Sequence, residues 1–174
     1  MLTLSNEIRV LSLFVHLTAT AVWIGGLLAT MILVWPTMRK GLEGNVVLYR
    51  LLSGFRKRFY PISNLSLAAL ITTGLFQMAS DPNYDGFLTF DNPWSQIMLL
   101  KHILIAVMAL AGLLLQYAVA PALERASLLL EREKGDDSTV EEWDKLRQRE
   151  IMLTWFNGLL GLGIVGLSVW LSIL

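Results

Sequence analysis

The sequence contains no cysteine. This absence excludes disulfide bonds, thiolate metal sites and iron–sulfur clusters together. Charge is also scarce, since only 16% of the 174 residues are charged and 14 basic residues balance 14 acidic ones. The basic stripe typical of a nucleic-acid-binding protein is therefore not indicated. The chain also lacks a Walker-type glycine loop, a G-x-S-x-G motif, an H-E-x-x-H motif and paired carboxylates in its apolar runs, which argues against a hydrolytic enzyme.

Four long apolar runs take up more than half of the chain. Three of them hold 29, 22 and 24 residues without Asp, Glu, Lys or Arg, and the fourth is broken only by Lys101 and His102. A transmembrane helix needs about 20 apolar residues, so each run can cross a bilayer. The first run lacks the basic n-region and the cleavage site of a signal peptide, and we expect it to remain as a span. We therefore predict one all-α integral membrane domain over residues 1–174, an up-and-down bundle with transmembrane helices at about 9–35, 59–80, 93–120 and 150–173.

The basic residues of the connections predict the topology. Residues 36–58 carry six basic residues against one acidic residue, and residues 121–149 also carry six basic residues. Residues 81–92 have none. By the positive-inside rule, the first two connections are cytoplasmic and residues 81–92 form an outer loop. The prediction is a multi-pass protein of the cell membrane with both termini on the outer side.

Local signals predict where some helices begin. Asp91 or Asn92 followed by Pro93 resembles an N-cap with proline in the first turn, and Ser138 with Glu141 forms a capping box. The third and fourth spans should then project into the cytoplasm as a helical hairpin. Residues 42–55 fit either a short interfacial helix or an ordinary solvated connector.

The only two histidines of the chain both fall within predicted spans. Ionisable residues inside a membrane are rare and indicate function. His16 follows Arg9 by seven residues and His102 follows Trp94 by eight, which places the two side chains roughly 10 and 12 Å into the membrane. Because the first and third spans run in the same direction, both histidines should lie in its outer part and face each other across the bundle. Two imidazoles so arranged can hold one metal centre.

The surroundings of the two histidines favour haem b. The imidazoles would be axial ligands, small residues would leave room for the ring, and Arg9 or Lys101 would meet the propionates. Lys101 can equally snorkel to the interface, and Trp23 can stack on the ring or simply pack. Glycines of the last span also suit tight helix packing. The predicted haem contacts are Arg9, Thr20, Trp23, Lys101, Ala106 and Gly166.

Copper is the competing metal. Met98 lies four residues before His102 on the same helical face, and imidazole with thioether ligands suits Cu(I). His16, His102 and Met98 would then be the copper ligands. A third reading is an accessory membrane subunit without a cofactor, whose cytoplasmic hairpin docks a partner.

Several motifs resemble those of a known family. The pattern H-x6-W-x-G-G-L begins at His16, F-x3-F-x-P begins at Phe55, T-G-L begins at Thr73 and L-L-K-H ends at His102. Together they resemble the copper resistance protein D (CopD) family over about residues 10–118, and this resemblance implies copper handling. The H-x6-W pattern with a later membrane lysine is also similar to the HemJ-type protoporphyrinogen oxidases. That similarity implies haem binding and assigns His16 and Lys101 to the site, although residues 32–36 depart from the Leu-Pro-Arg stretch of those enzymes.

The functional prediction is a b-type haem protein. It would transfer electrons, or oxidise a quinone or another membrane-soluble partner, as a haem-dependent membrane oxidoreductase. CopD-like copper transport is the alternative, and the cofactor-free subunit is the second alternative. The lipid bilayer is a certain partner, a quinone or a membrane redox protein is a candidate one, and the sequence identifies neither a catalytic residue nor an oligomeric state.

Overall fold

In the computed structural model, the described residues are 6–34, 46–84, 86, 91–131 and 136–173. This part of the chain forms helices and short connections, without strands. The elements in chain order are α1 (Asn6–Ala29) with a π-helical turn (Thr30–Val34), α2 (Val46–Ala79), α3 (Pro93–Leu114) with a second π-helical turn (Leu115–Val119), α4 (Ala120–Glu131) and α5 (Asp137–Leu171).

Four helical segments are long and apolar enough to cross a membrane. They are Asn6–Ile32, Ser53–Ala79, Pro93–Glu131 and Asp137–Leu171. Large apolar side chains cover the outside of the bundle: Leu65, for example, is 72% exposed and Leu110 is 62% exposed. Such a surface suits a lipid solvent and not water. The predicted all-α membrane bundle with four spans is confirmed, whereas the side of the membrane on which each end lies stays a prediction.

The helices continue beyond the apolar runs at one end of the bundle. We call this the extension end; it contains α4 and the first turns of α2 and α5. The opposite end, which carries residues 81–84 and 91–92, is the loop end. Residues 46–55 belong to α2 and do not form a separate helix, while residues 42–45 lie outside the described part. The predicted helical extensions are therefore present, and α4 packs against α5 as the predicted hairpin requires.

The start of α3 follows the sequence signal. The Asn92 side chain accepts a hydrogen bond from the Ser95 N–H at 2.7 Å, and Pro93 occupies the first helical position. This cap satisfies one of the N–H groups that a helix start leaves without an intrahelical partner. The prediction of a cap before Pro93 is confirmed, with Asn92 as the capping residue.

The start of α5 differs from its prediction. Asp136 is the N-cap, and its Oδ1 accepts from the Thr139 N–H at 3.0 Å. The same Oδ1 accepts from the hydroxyls of Ser138 and Thr139, each at 2.8 Å. The prediction of a box that starts at Ser138 is wrong because Asp136 is the N-cap and Ser138 is already the second residue of α5.

The helix of the third span continues through Pro121 into α4, as the predicted helical extension requires. In a regular α-helix the Pro121 ring would collide with the carbonyl four residues earlier. Here the preceding turn is wider, and the Ala120 N–H bonds to the Leu115 carbonyl five residues back. A π-turn of this kind lets a helix continue through a proline. The helical chain therefore extends to Glu131, about three turns past the predicted end of the span.

The helices pack in a definite order. Helix α1 lies antiparallel to α2, α3 packs against α5, α4 contacts both α2 and α5, and α1 contacts α5. Helices α1 and α3 are diagonal neighbours that meet through side chains at mid-depth. The core cluster there consists of Trp23, Ile24, Met108 and Ile164. A Cβ on Gly161 would lie 3.4 Å from the Met108 side chain and 3.5 Å from the Ile24 side chain, so both pack closely against this turn of α5.

Candidate functional site

His16 lies at the interface between α1 and α2. Its Nδ1 is 2.8 Å from Thr73 Oγ1, and Thr73 Oγ1 is 2.6 Å from the Ala69 carbonyl oxygen. A threonine hydroxyl has one proton, and the carbonyl can only accept. If Thr73 donates to Ala69, as the short distance favours, Nδ1 of His16 must carry a proton and donate to Thr73. The lone pair of Nε2 is then available to a ligand.

His102 on α3 is oriented by its own helix. Its Nδ1 is 2.7 Å from the carbonyl oxygen of Met98, one turn earlier. Because a carbonyl oxygen has no proton to give, Nδ1 donates, and Nε2 again keeps its lone pair. A histidine that binds a metal through one nitrogen usually donates a hydrogen bond from the other. In both histidines, therefore, Nδ1 makes a hydrogen bond and Nε2 is the nitrogen that can bind a metal.

The two histidines lie at similar depth near the loop end. They are on the diagonal helices α1 and α3, and each precedes a core residue, Trp23 or Met108, by about two turns. The Lys101 ammonium is close enough to His16 to interact with it electrostatically. Within the described part, no three His, Asp or Glu residues gather as a metal site. A centre here would therefore need the two imidazoles together with Met98 or a cofactor.

Arg9 and Thr20 make contacts beside His16. Arg9 donates from Nη2 to the Ser80 carbonyl at 3.0 Å and ties the start of α1 to the end of α2. Thr20 donates to the His16 carbonyl at 2.8 Å. Trp23 is only 7% exposed and belongs to the core cluster, which agrees with the packing interpretation of this residue.

Two of the predicted haem contacts lie on exposed faces. Ala106 and Gly166 are both exposed, and a Cβ on Gly166 would meet open space. Neither residue lies in the packed interior, where the prediction placed small residues beside a ring. The physical reason is that the lipid-facing side of a membrane helix also accepts small residues, so residue size does not reveal which side faces inward.

Sequence reasoning gave no role in the site to several polar side chains, of which Gln77 was judged too isolated to have one. Gln77 donates from Nε2 to the Ser12 carbonyl at 3.3 Å and extends the polar contact between α1 and α2. At the extension end, Arg56 and Glu150 form an ion pair whose side chains are only 11% and 8% exposed. Asn157 is 3% exposed. Its position inside a charge-free run was the signal that could have identified it.

The Asn157 amide joins α5 to α3. In the orientation that satisfies both partners, its nitrogen donates to the Met108 carbonyl at 3.2 Å and its oxygen accepts from the Gly112 N–H at 3.3 Å. A Cβ on Gly112 would lie 3.8 Å from the Asn157 side chain, at ordinary van der Waals distance, so α3 and α5 approach closely here.

Comparison with known proteins identifies the family. The sequence profile of the family described as Copper resistance protein D matches residues 53–171, which is more than half of the chain. The chain belongs to the Copper resistance protein D family. No curated protein and no solved structure matches it.

The family match bears on the predicted site. In this copper resistance protein D family member, the matched segment includes Met98, Lys101 and His102, whereas His16 lies before it. The predicted CopD resemblance is confirmed, and the chain is a multi-pass membrane protein of that family. The similarity to HemJ-type enzymes stays a prediction.

Proposed function

We propose that this protein binds and carries copper in the membrane, with the Nε2 atoms of His16 and His102 and the Met98 thioether as ligands at the loop end. The observation that carries the proposal is the state of the two imidazoles. Each is hydrogen-bonded through Nδ1, which leaves Nε2 free to coordinate. Membership of the Copper resistance protein D family supports copper as the metal.

The chemistry of the available ligands favours cuprous copper. Cu(I) prefers soft thioether and imidazole ligands, and without cysteine these are the soft donors that the chain offers. Met98 and His102 are four residues apart, so they lie on the same face of α3. Both are half-buried, which places them between lipid and the bundle interior. By the predicted topology, the site lies near the outer face of the membrane.

Haem b is the second candidate, and Lys101 is the observation that favours it. The half-buried ammonium lies near His16, where it would repel a cuprous ion but would pair with a haem propionate. In that case the two imidazoles would be axial ligands, and the protein would transfer electrons or oxidise a quinone. The exposed positions of Ala106 and Gly166 do not support this reading. We therefore propose copper first.

One preparation distinguishes the candidates. The full chain is purified in detergent, its dithionite-reduced minus oxidised spectrum is recorded, and Cu(I) affinity is measured by competition with bicinchoninate. We expect a colourless protein that binds one Cu(I) per chain. A b-type α band, with about one haem per chain in a pyridine haemochrome assay, would show that the cofactor is haem and not copper. If the protein binds neither copper nor haem, the cofactor-free accessory subunit is the remaining candidate.

Variants test the ligands. His16→Ala and His102→Ala should each weaken Cu(I) binding at least 100-fold, and Met98→Leu should weaken it less. Met152, which is 63% exposed on α5, supplies the control, since Met152→Leu should bind copper like the wild type. Wild-type affinity in both histidine variants would refute the site.

A further inference from the structure

A cavity of about 100 Å³ lies at the extension end of the bundle, on the far side of the core cluster from the two histidines. Residues from all four spans line it. Its polar lining includes Arg56, Tyr60, Asn64, Gln116, Glu150 and Asn157. An adjoining cavity of about 240 Å³ shares Arg56, Tyr60 and Gln116. Several polar groups that converge on one cavity inside a membrane bundle indicate a binding site.

The charge of the lining selects a neutral ligand. Arg56 and Glu150 form an ion pair, so this wall carries both signs and no net charge. A cation would meet the Arg56 guanidinium, and an anion would meet the Glu150 carboxylate. Because both groups are almost fully buried, the repulsion of either ion would be little screened.

The lining contains one hydrogen-bond acceptor that lacks a donor within the described part of the chain, Oε2 of Glu150. Glu150 is 6% exposed, and within the described part its Oε2 has no hydrogen-bond partner. A buried carboxylate oxygen without a partner is costly, so a ligand hydroxyl that donates to it would be strongly favoured. The buried hydroxyl of Tyr60 and the Asn64 amide lie in the same lining and can donate to a second ligand oxygen.

Apart from three hydroxyl side chains, Thr30, Ser63 and Thr154, the rest of the lining is apolar, and it reaches the lipid. Trp23, Phe55 and Phe59 contribute aromatic walls, with the Phe55 and Phe59 rings parallel and their centroids 6.1 Å apart. Phe55 is 51% exposed and Leu113 is 41% exposed on the outside of the bundle, so the cavity has an apolar border with the lipid. Together with the adjoining cavity of about 240 Å³, the space exceeds the roughly 150 Å³ that holds a benzene ring, so a single substituted ring is the appropriate size of ligand.

We propose that this cavity binds a neutral, membrane-soluble molecule of the hydroquinone class, with one ring hydroxyl donating to Glu150 and the ring between the aromatic walls. Tyr60 or Asn64 would donate to the second ring oxygen. The site is separate from the copper ligands and does not depend on copper being the metal at the loop end.

The test measures binding of decylubiquinol, kept reduced, to the full chain in phosphatidylcholine nanodiscs. Isothermal titration calorimetry against empty nanodiscs corrects for partition into lipid. We expect saturable binding of one quinol per chain and a rise in the melting temperature with quinol concentration, since the ligand binds the folded state. Absence of saturable binding would overturn the proposal.

Two variants locate the site. Ala109→Leu fills the cavity that Ala109 lines, and the double variant Arg56→Met with Glu150→Leu removes the acceptor without leaving a lone buried charge. Each should weaken quinol binding at least tenfold. Ala68→Leu, at an exposed position of α2, is the matched control and should bind like the wild type. Equal binding by Ala109→Leu and the wild type would overturn the assignment. If Ala109→Leu binds Cu(I) with wild-type affinity, its loss of quinol binding does not arise from damage to the copper site.

Discussion

The imidazole of His16 and the hydroxyl of Thr73 meet across the interface of α1 and α2, with Nδ1 and Oγ1 2.8 Å apart. The contact belongs to a polar row in which Arg9 reaches Ser80 and Gln77 reaches Ser12. Along this row each step of three or four residues up α1 matches an equal step back along α2. The antiparallel register of the first two spans therefore determines the partner of His16.

The Thr73 contact predicts an effect on metal binding. Thr73→Val keeps the shape of the side chain but removes the acceptor that orients His16. Loss of such a supporting hydrogen bond typically lowers metal affinity about 10- to 100-fold. Thr72→Val is the control, because Thr72 is exposed and donates to the Ala68 carbonyl of its own helix. Cu(I) competition titrations of both variants measure the difference, and equal affinities would show that Thr73 does not support the ligand.

The two glycines after Trp23 predict opposite responses to substitution. A Cβ on Gly26 would collide with the Phe59 ring, whereas a Cβ on Gly25 would meet nothing within 4 Å. Gly26→Ala should therefore destabilise the bundle by about 1–3 kcal/mol through overpacking. Gly25→Ala should be neutral, or stabilising by up to about 1 kcal/mol, because alanine is the better helix former.

Thermal unfolding in detergent compares the two glycine variants. For a chain of this size, about 1 kcal/mol corresponds to a shift of roughly 2–4 °C in Tm. Phe59→Leu combined with Gly26→Ala should recover part of the loss, since it shortens the side chain that collides. Equal Tm values for the two alanine variants would contradict the close approach of α1 and α2 at Gly26.

The buried ion pair predicts strong coupling between Arg56 and Glu150. Removal of one partner alone, as in Arg56→Met or Glu150→Leu, leaves a buried charge and should cost about 3–5 kcal/mol. The double variant leaves no charge and should be close to the wild type in stability. Unfolding of the four proteins by denaturant in detergent gives the coupling energy as a double-mutant cycle. Additive effects would mean that the two side chains act independently.

The N-cap of α5 predicts a pH dependence. Hydrogen bonds from the Ser138 hydroxyl, the Thr139 hydroxyl and the Thr139 N–H lower the pKa of Asp136 from 3.8 to about 2. A lowered pKa in the folded state means that the carboxylate stabilises the helix start above pH 3.8 and that this contribution is lost as the pH falls through about 2.

Asp136→Ala tests that linkage. The variant should have a lower Tm than the wild type near pH 7, and the gap should close as the pH approaches 2. Ser138→Ala, which removes one donor but keeps the cap, should lower the Tm less. If Ser138→Ala lowers the Tm more than Asp136→Ala does, Ser138 and not Asp136 is the capping residue.

Many features of this fold were predictable because they depend on residues close together in the chain. A run of about 20 apolar residues has no stable place outside a membrane, so the four spans follow from composition. The Asn92 cap and the helical extensions also follow from local signals. The local rule failed at Ser138, because the Asp136 carboxylate, two residues earlier, caps the helix instead.

The candidate site was only partly predictable for a different reason. Imidazole and thioether groups at matched depths are visible as a pattern, which is why His16, His102 and Met98 could be chosen from the sequence. The sequence indicated Thr72 and Thr73 as the hydroxyls near His16 but could not choose between them, because the two are equivalent until the rotation of α2 is known. The same ambiguity placed Gly166 inside the bundle and left Asn157 without a role.

The sequence by itself determined that this is a membrane bundle of four spans, with two histidines at similar depth as its candidate ligands. Tertiary structure decided that His16 meets Thr73, that Gly26 meets Phe59, and that Arg56 and Glu150 pair beside a cavity. The physical reason is the solvent. Lipid is as apolar as the interior of the bundle, so the usual contrast between a polar outer face and an apolar inner face is absent from the spans. Only the packing of the helices tells which side of each span faces inward.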